Sequence, residues 1–329
     1  MSCSLPYKKG SLLFAPMEGV TDNPYRRTIQ RLYPEWDQLS TDFLRVPTGS
    51  LPSRKVVLEH FGSSSYQNEK VKRKTTYQIL TSERAQTSDM AQMIDDLGFE
   101  HLDLNLGCPS KKVNSHRGGS WLLSNHDSLI HVIREVRKSF HKTFTVKIRL
   151  GYQSTDHFEE RLKIFEDEGV DAIIIHGRTR DQGYQGRADW SYIKRATEVV
   201  NVPIIGNGDL WSIQDIERMF DECGVYAVML GRGALKTPWL ASYYHSKSKH
   251  LYENEEYLSR DRAPQIQLYF ETLLSEFRKE GREDYNTLKR FKSFSRYLFE
   301  DFENPEQTRS RFLRSDSLAE FRDHLFELH

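Results

Sequence analysis

Apolar positions along the chain fall into two rhythms. Short, β-branched runs recur as SLLFAP (11–16), LSTDFL (39–44), TTYQIL (75–80), HLDLNL (101–106), FTVKIRL (144–150), DAIIIH (171–176), VPIIGN (202–207) and YAVMLG (226–231). Between most of them, apolar residues return every three or four positions, as in SDMAQMIDDLG, SLIHVIREVRKSF, FEERLKIFEDEG, WSYIKRATEVV and SIQDIERMFDECG. The first rhythm predicts buried strands and the second amphipathic helices. Several helical segments end in Gly, as helix C-termini tend to. Strand and helix alternating in this way predict an α/β fold, a (β/α)8 barrel, with a doubly wound open sheet as the alternative. The barrel is favoured because polar residues follow almost every strand, as a ring of catalytic loops requires.

After about residue 245 the pattern changes. HSKSKHLYENEEYLSRDRA is polar and linker-like, and PQIQLYFETLLSEFRKEG, YNTLKRFKSFSRYLFEDF and SLAEFRDHLFEL carry apolar residues at helical spacing. The expectation is a catalytic barrel over 1–245 and a small helical domain over 246–329.

Bulk composition narrows the class without choosing a substrate. The 329 residues carry 47 basic and 47 acidic side chains, so overall charge points to no polyanion, though a local basic face is compatible with it. Cys3, Cys108 and Cys223 are too few and too scattered for a disulfide framework or a zinc site, and fit a reducing compartment. The N-terminus lacks the apolar run of a signal peptide. No window approaches the roughly 20 apolar residues that span a bilayer. A soluble, cytoplasmic protein is expected.

In a barrel the C-terminal ends of the strands face one site. Those ends carry Pro16-Met17-Glu18, Gln78, Asn105 with Cys108, Lys147 with Arg149, His176 with Arg178, Asn207-Gly208-Asp209, and Gly231-Arg232-Gly233. The last two clusters follow the seventh and eighth strands, where barrels commonly hold a phosphate on glycine-permitted backbone N–H groups. Each has a plainer reading, since glycines close turns and an arginine can cap a helix. Lys147 lies inside an apolar strand, where a lysine is expensive to bury without an anionic partner. Cys108 sits on a Gly-Cys-Pro turn rather than within an apolar run. A free thiol has a pKa of about 8.5, so it is mostly protonated near neutrality and can serve as a general acid. A nucleophilic role would need a base or cation beside it, and His116 or His176 are candidates. The residues alone leave acid and nucleophile open.

Taken together, APMEGVTD, YQILTS, LDLNLGCPSKKV, GGSWLL, VKIRLG, HGRTRDQGYQGRADW, IIGNGDL and VMLGRGAL resemble the tRNA-dihydrouridine synthases over about residues 12–240, more weakly into the helical tail. The resemblance implies FMN in the barrel mouth, NADPH as reductant, and reduction of the C5–C6 double bond of a uridine in the tRNA D-loop. By that analogy Cys108 gives a proton to C5, on the face opposite the flavin. Lys147 would stabilise the anionic flavin. Gln78 and Asn105 would meet flavin or base, and Pro16, Met17 and Glu18 would line the isoalloxazine pocket. His176 matches the family's motif histidine near the flavin, and Asn207, Gly208, Asp209, Gly231 and Arg232 match its phosphate and ribitol contacts. The basic loop Pro109 to Gly119 would close over a flipped-out base. Arg290, Lys292 and Arg311 match the tRNA-binding tail, with Arg45 and Arg149 as further candidates. APMEG, TDFLRV, IRLGYQS and GRGAL lean toward the bacterial branch that modifies position 16, with position 20 as the other target. That branch can carry its cysteine two positions earlier, where this chain has Leu106.

Three alternatives stand beside this expectation. They are a flavin-dependent reductase of a free pyrimidine, an RNA-binding barrel without cofactor, and an aldolase-type barrel with Lys147 as Schiff-base lysine.

Overall fold

The computed structural model describes residues 5–246 and 262–328. Most of the linker-like segment expected after residue 245 therefore lies outside the described residues. Eight parallel strands form one sheet: β1 (Ser11–Phe14), β2 (Leu39–Arg45), β3 (Thr75–Leu80), β4 (His101–Leu106), β5 (Thr143–Arg149), β6 (Ala172–His176), β7 (Ile204–Asn207) and β8 (Ala227–Leu230). The order is β1-β8-β7-β6-β5-β4-β3-β2. A parallel bridge from Leu13 to Gln38, with Phe14 N–H donating to Gln38 O at 2.8 Å, joins β1 to the start of β2 and closes the barrel. All eight apolar runs are strands within a residue or two of their expected limits. The five amphipathic segments are the helices Thr87–Asp96, His126–Ser139, Phe158–Asp167, Trp190–Val199 and Ile213–Cys223.

Local chemistry sets these limits. Asn125 accepts Ser128 N–H at 2.9 Å and Asp189 accepts Ser191 N–H at 3.0 Å, capping two helix starts. Gly169, at φ +78°, takes the left-handed position just past the end of helix Phe158–Asp167. Between β2 and β3 the chain makes three short helices, Arg54–Phe61, Ser63–Tyr66 and Glu69–Arg73, which the periodicity did not announce. They span only one to two turns each, too few for an apolar stripe to repeat clearly, and caps at Ser53 and Asn68 start two of them. β2 carries a register shift between Ser40 and Phe43, where Thr41 Oγ1 accepts the Gln78 N–H at 3.0 Å.

The barrel interior is divided. Leu13, Ala15, Ala172, Ile174, Ile205, Ala227 and Met229, from β1 and β6–β8, pack with Tyr7 into an apolar cluster. The inward positions of β3–β5 are instead polar and buried, among them Thr76, Gln78, His101, Asp103 and Thr145. Outward residues such as Leu102, Leu104, Val146, Ile148, Ile173 and Ile175 are fully buried.

The chain divides into two compact units. The first holds Met1–Asn23, Asp37–Leu210 and Asp215–Gly231. The second holds Pro24–Trp36, Trp211–Gln214 and Arg232 onward. Its longest helices are Arg262–Lys279 and Asp284–Leu298, followed by Pro305–Arg314 and Leu318–Phe326. Its core is aromatic: Phe270, Phe291, Phe312 and Phe321 lie with ring centroids 4.7 to 5.5 Å apart in successive pairs. Among the described residues no helix is long and apolar enough to cross a membrane.

Candidate active site at the barrel mouth

Strand register brings the sequence-predicted residues of the first unit to one end. Asn105 pairs with Lys147, Arg149 with His176, and His176 with Asn207. Lys147 donates to Asn207 Oδ1 at 3.2 Å, reaching across β6, while Asn207 Nδ2 donates to Met229 O at 2.6 Å. Burial, with the Arg149 charge in support, pushes the Lys147 amine down to about 8, and Asp103 opposes the shift. Gln78 is fully buried and accepts Asn105 Nδ2 at 2.9 Å through Oε1.

Cys108 is 7% exposed and packs with Leu80 and Val113. Burial pushes its thiol up. The Ser110 backbone pulls it down, Glu18 raises it, and the Arg45 and Arg149 charges lower it. The thiol is therefore held protonated at neutral pH. Its loop is ordered by Asn114, which lies within the basic stretch Pro109 to Gly119. Asn114 Nδ2 donates to Cys108 O at 3.3 Å and to Ser110 O at 2.8 Å. Its Oδ1 accepts Ser120 Oγ at 3.0 Å and Trp121 N–H at 2.9 Å. Ser120 Oγ also reaches Cys108 O at 2.8 Å. Gly119, at φ +58°, lets the chain pass Cys108, since a Cβ there would lie 3.2 Å from the Cys108 Cβ. The basic residues Lys111, Lys112 and Arg117 of this loop are exposed. No local signal marks Asn114; its role follows from a clasp that closes only when the loop is folded.

The other predicted residues take varied positions. Pro16 and Met17 are half-buried and Glu18 is exposed, in a turn tied by Thr21 Oγ1, which accepts Met17 N–H at 3.1 Å. His176 is buried at the end of β6, with the Tyr184 ring edge-on at 6.3 Å. Tyr184 is 61% exposed, and the Arg149 guanidinium lies 5.5 Å from its ring centre. Arg149, 4% exposed, donates through Nε to Gly107 O at 2.9 Å and through Nη1 to Thr179 O at 3.0 Å and Gly183 O at 2.8 Å. It braces two loops from within, at the strand end where the resemblance made it a candidate tRNA contact. Asp209, which the resemblance put among the phosphate and ribitol contacts, is tied to the loop after β6. Its carboxylate holds Arg178 in a bidentate pair at 3.0 and 2.6 Å and accepts Ala188 N–H at 2.7 Å. A Cβ at Gly208 would lie 2.9 Å from Ala188, so the β7 turn and the β6 loop need glycine to approach. Gly231 follows β8, with Ala15 beside it. Arg45 is exposed at the end of β2, 5.9 Å from the Phe43 ring centre.

The second unit holds the remaining candidates. Arg232 lies over the Trp211 ring at 4.9 Å. Arg290 lies over Phe294 at 5.1 Å, and with Arg282, Asn286, Lys289 and Ser293 it lines an open groove of about 430 Å³. Lys292 is half-buried on the same helix, and Arg311 is paired with Glu327.

The barrel fold is shared with solved structures. The histamine dehydrogenase of Rhizobium sp. 4-9 superposes with a TM-score of 0.53 at 13% identity, over 72% of this chain and 46% of that one. The sequence profile of the dihydrouridine synthase (Dus) family matches residues 13–324. A tRNA-dihydrouridine(16) synthase of Pseudomonas syringae pv. tomato is 34% identical over 234 residues, covering 70% of this chain and 73% of that protein. A second, from Neisseria meningitidis serogroup B, is 31% identical over 239 residues, covering 72% and 71%. The chain belongs to the dihydrouridine synthase family, oxidoreductases that act on uridine in tRNA. Membership favours that reaction over the free-pyrimidine and aldolase alternatives.

Proposed function

We propose that the protein is an FMN-dependent, NADPH-driven tRNA-dihydrouridine synthase that reduces uridine 16 of the D-loop, with Cys108 as proton donor. The observation that carries the reading is a buried thiol at the same barrel mouth as a half-buried lysine and an amide pair. The residues fit a flavin. Lys147 is a cation whose charge burial disfavours, so an anionic ring system beside it would restore its pKa, and Asn207 holds it in place. Gln78 and Asn105 add amide groups on neighbouring strands, and the Asn207-Gly208 and Gly231 turns supply backbone N–H groups for ribitol and phosphate. A reduced flavin held there would supply the hydride for C6 of the uracil ring. Cys108 gives its proton to C5 and is left as a thiolate, which the Arg45 and Arg149 charges favour. Solvent returns the proton. Arg178 and Asp209 hold the loop that carries Tyr184 over the mouth. Arg45, Arg290, Lys292 and Arg311 are the proposed phosphate contacts, which makes tRNA binding strongly salt-dependent.

Position 16 rests on the names of the relatives. The test is NADPH-dependent dihydrouridine formation in tRNA from a strain lacking the modification, mapped by position. Signal at uridine 16 is expected, and signal at position 20 moves the target. No signal from yellow, FMN-loaded protein overturns the reading.

A further inference from the structure

Seven hydrogen bonds inside the barrel converge on one carboxylate. Gly107 N–H donates to Asn105 Oδ1 at 3.0 Å, Asn105 Nδ2 to Gln78 Oε1 at 2.9 Å, and Gln78 Nε2 to Asp103 Oδ2 at 2.7 Å. From the other side Thr145 Oγ1 donates to Asp103 Oδ1 at 2.6 Å. Behind it lie His101 Nε2 at 2.9 Å from Thr145 Oγ1, Thr76 Oγ1 at 2.9 Å from His101 Nδ1, and Gln38 Nε2 at 3.1 Å from Thr76 Oγ1. Asp103, Gln78, His101, Thr76, Thr145 and Gln38 are all buried.

Groups that cannot turn over fix the direction of the amide arm. A backbone N–H only donates and an ionised carboxylate only accepts. Between them, each amide has one orientation that satisfies both neighbours. The same carboxylate makes Thr145 a donor. Thr145 must then accept from His101 Nε2–H, which leaves Nδ1 bare to accept from Thr76. Burial holds the imidazole neutral, pushing it down to about 3, as this arrangement requires.

We propose that Asp103 is a positioning residue whose carboxylate, by accepting from both arms, locks the Gln78–Asn105 pair so that Asn105 offers its remaining N–H to a carbonyl oxygen of a pyrimidine-dione ring. The inference rests on the reading of this mouth as a flavin and uracil site. Both rings carry such an oxygen. An amino group in its place, as on cytosine, would set donor against donor and leave both unpaired, which is costly in a buried site. Asp103 touches neither ring; it acts through Gln78 and Asn105.

The test uses the full chain labelled with ¹⁵N-histidine. Long-range ¹H–¹⁵N correlation separates a protonated ring nitrogen from a bare one, and a His101→Gln variant assigns the signal. Wild-type protein at pH 7.5 is expected to carry the His101 proton on Nε2; an imidazolium or a proton on Nδ1 overturns the proposal. Asp103→Asn replaces one acceptor with a donor, so one arm must reverse. Either the His101 proton moves to Nδ1, or ligand recognition weakens about tenfold, the scale of one lost buried hydrogen bond. Weaker FMN uptake by stripped protein assigns the oxygen to flavin. Weaker binding of unmodified tRNA to FMN-loaded protein assigns it to uracil. An Asp103→Asn protein with the His101 tautomer and both affinities unchanged refutes the proposal. Should that variant not fold, the wild-type tautomer alone decides. Wild-type protein that takes up no FMN sinks the flavin reading and leaves the tautomer result standing.

Discussion

Replacing Asn114 by Ala should unfasten the loop that carries Cys108 while leaving the barrel intact. The substitution deletes the four hydrogen bonds made by the Asn114 side chain. Each is worth about 0.5–1.5 kcal/mol net, and more where a buried partner is orphaned. Few partners are. Cys108 O keeps Ser120 Oγ at 2.8 Å, Trp121 N–H keeps Gly118 O at 3.3 Å, and Ser110 O keeps the backbone N–H of residue 114 at 3.0 Å. The local cost is therefore about 2–4 kcal/mol, the lower half of the range to which four such bonds sum. At about 1.4 kcal/mol per decade the loop should open about 30- to 700-fold more often. Opening both exposes the Cys108 thiol and removes the burial that holds it protonated. Alkylation by iodoacetamide, followed peptide by peptide by mass spectrometry, reads this directly. Cys223, buried against the Trp190 carbonyl, is the internal control. A Cys108 rate within threefold of wild type, with Cys223 unchanged, would refute the view that Asn114 clasps this loop.

Cys108→Ala should retain FMN and normal reduction of it by NADPH, yet lose most turnover on tRNA; undiminished turnover removes Cys108 from the acid role. Asp209→Ala strands the buried Arg178 guanidinium beside two carbonyls and should cost about 3–5 kcal/mol, read as a fall in melting temperature. Adding Arg178→Met should recover part of that loss, and a melting temperature unmoved by Asp209→Ala contradicts the clasp. Burial pushes the Asp103 carboxyl up from 3.8 to about 6, so the folded chain holds that proton more tightly than the unfolded one. Its stabilising share is fully present below pH 3.8 and is lost as pH rises through about 6. The stability difference between wild type and Asp103→Asn should therefore shift by about 3 kcal/mol across that window, in favour of the variant at higher pH. A difference flat with pH in urea titrations would show that Asp103 titrates normally.

The strands were legible because their cause is local. TVKIRL and AIII are β-branched runs that read the same in any register, and polar residues directly after them mark strand ends. Cys108 was legible for the same reason, as a thiol placed just past a strand on a Gly-Cys-Pro turn. Lys147 stood out as a charge in an apolar run, and it donates to Asn207, another residue at a strand end.

Pairings between distant residues were not legible. Gln78 and Asp103 are 25 residues apart, Thr145 and Asp103 are 42 apart, and Lys147 and Asn207 are 60 apart. A one-residue slip in any of these strands would turn the inward residues outward, and nothing within a single strand reports its neighbour's register. Arg149 and Arg178 were legible as arginines at strand ends, but only burial against loop carbonyls makes them braces. The sequence by itself determined the order of strands and helices and the placing of polar side chains at strand ends, because those depend on each residue and its near neighbours. Barrel closure decided the rest. It divided the interior into an apolar half and a hydrogen-bonded half, clasped the Cys108 loop on Asn114, and gathered two polar arms onto Asp103, because those contacts exist only once distant segments are held side by side.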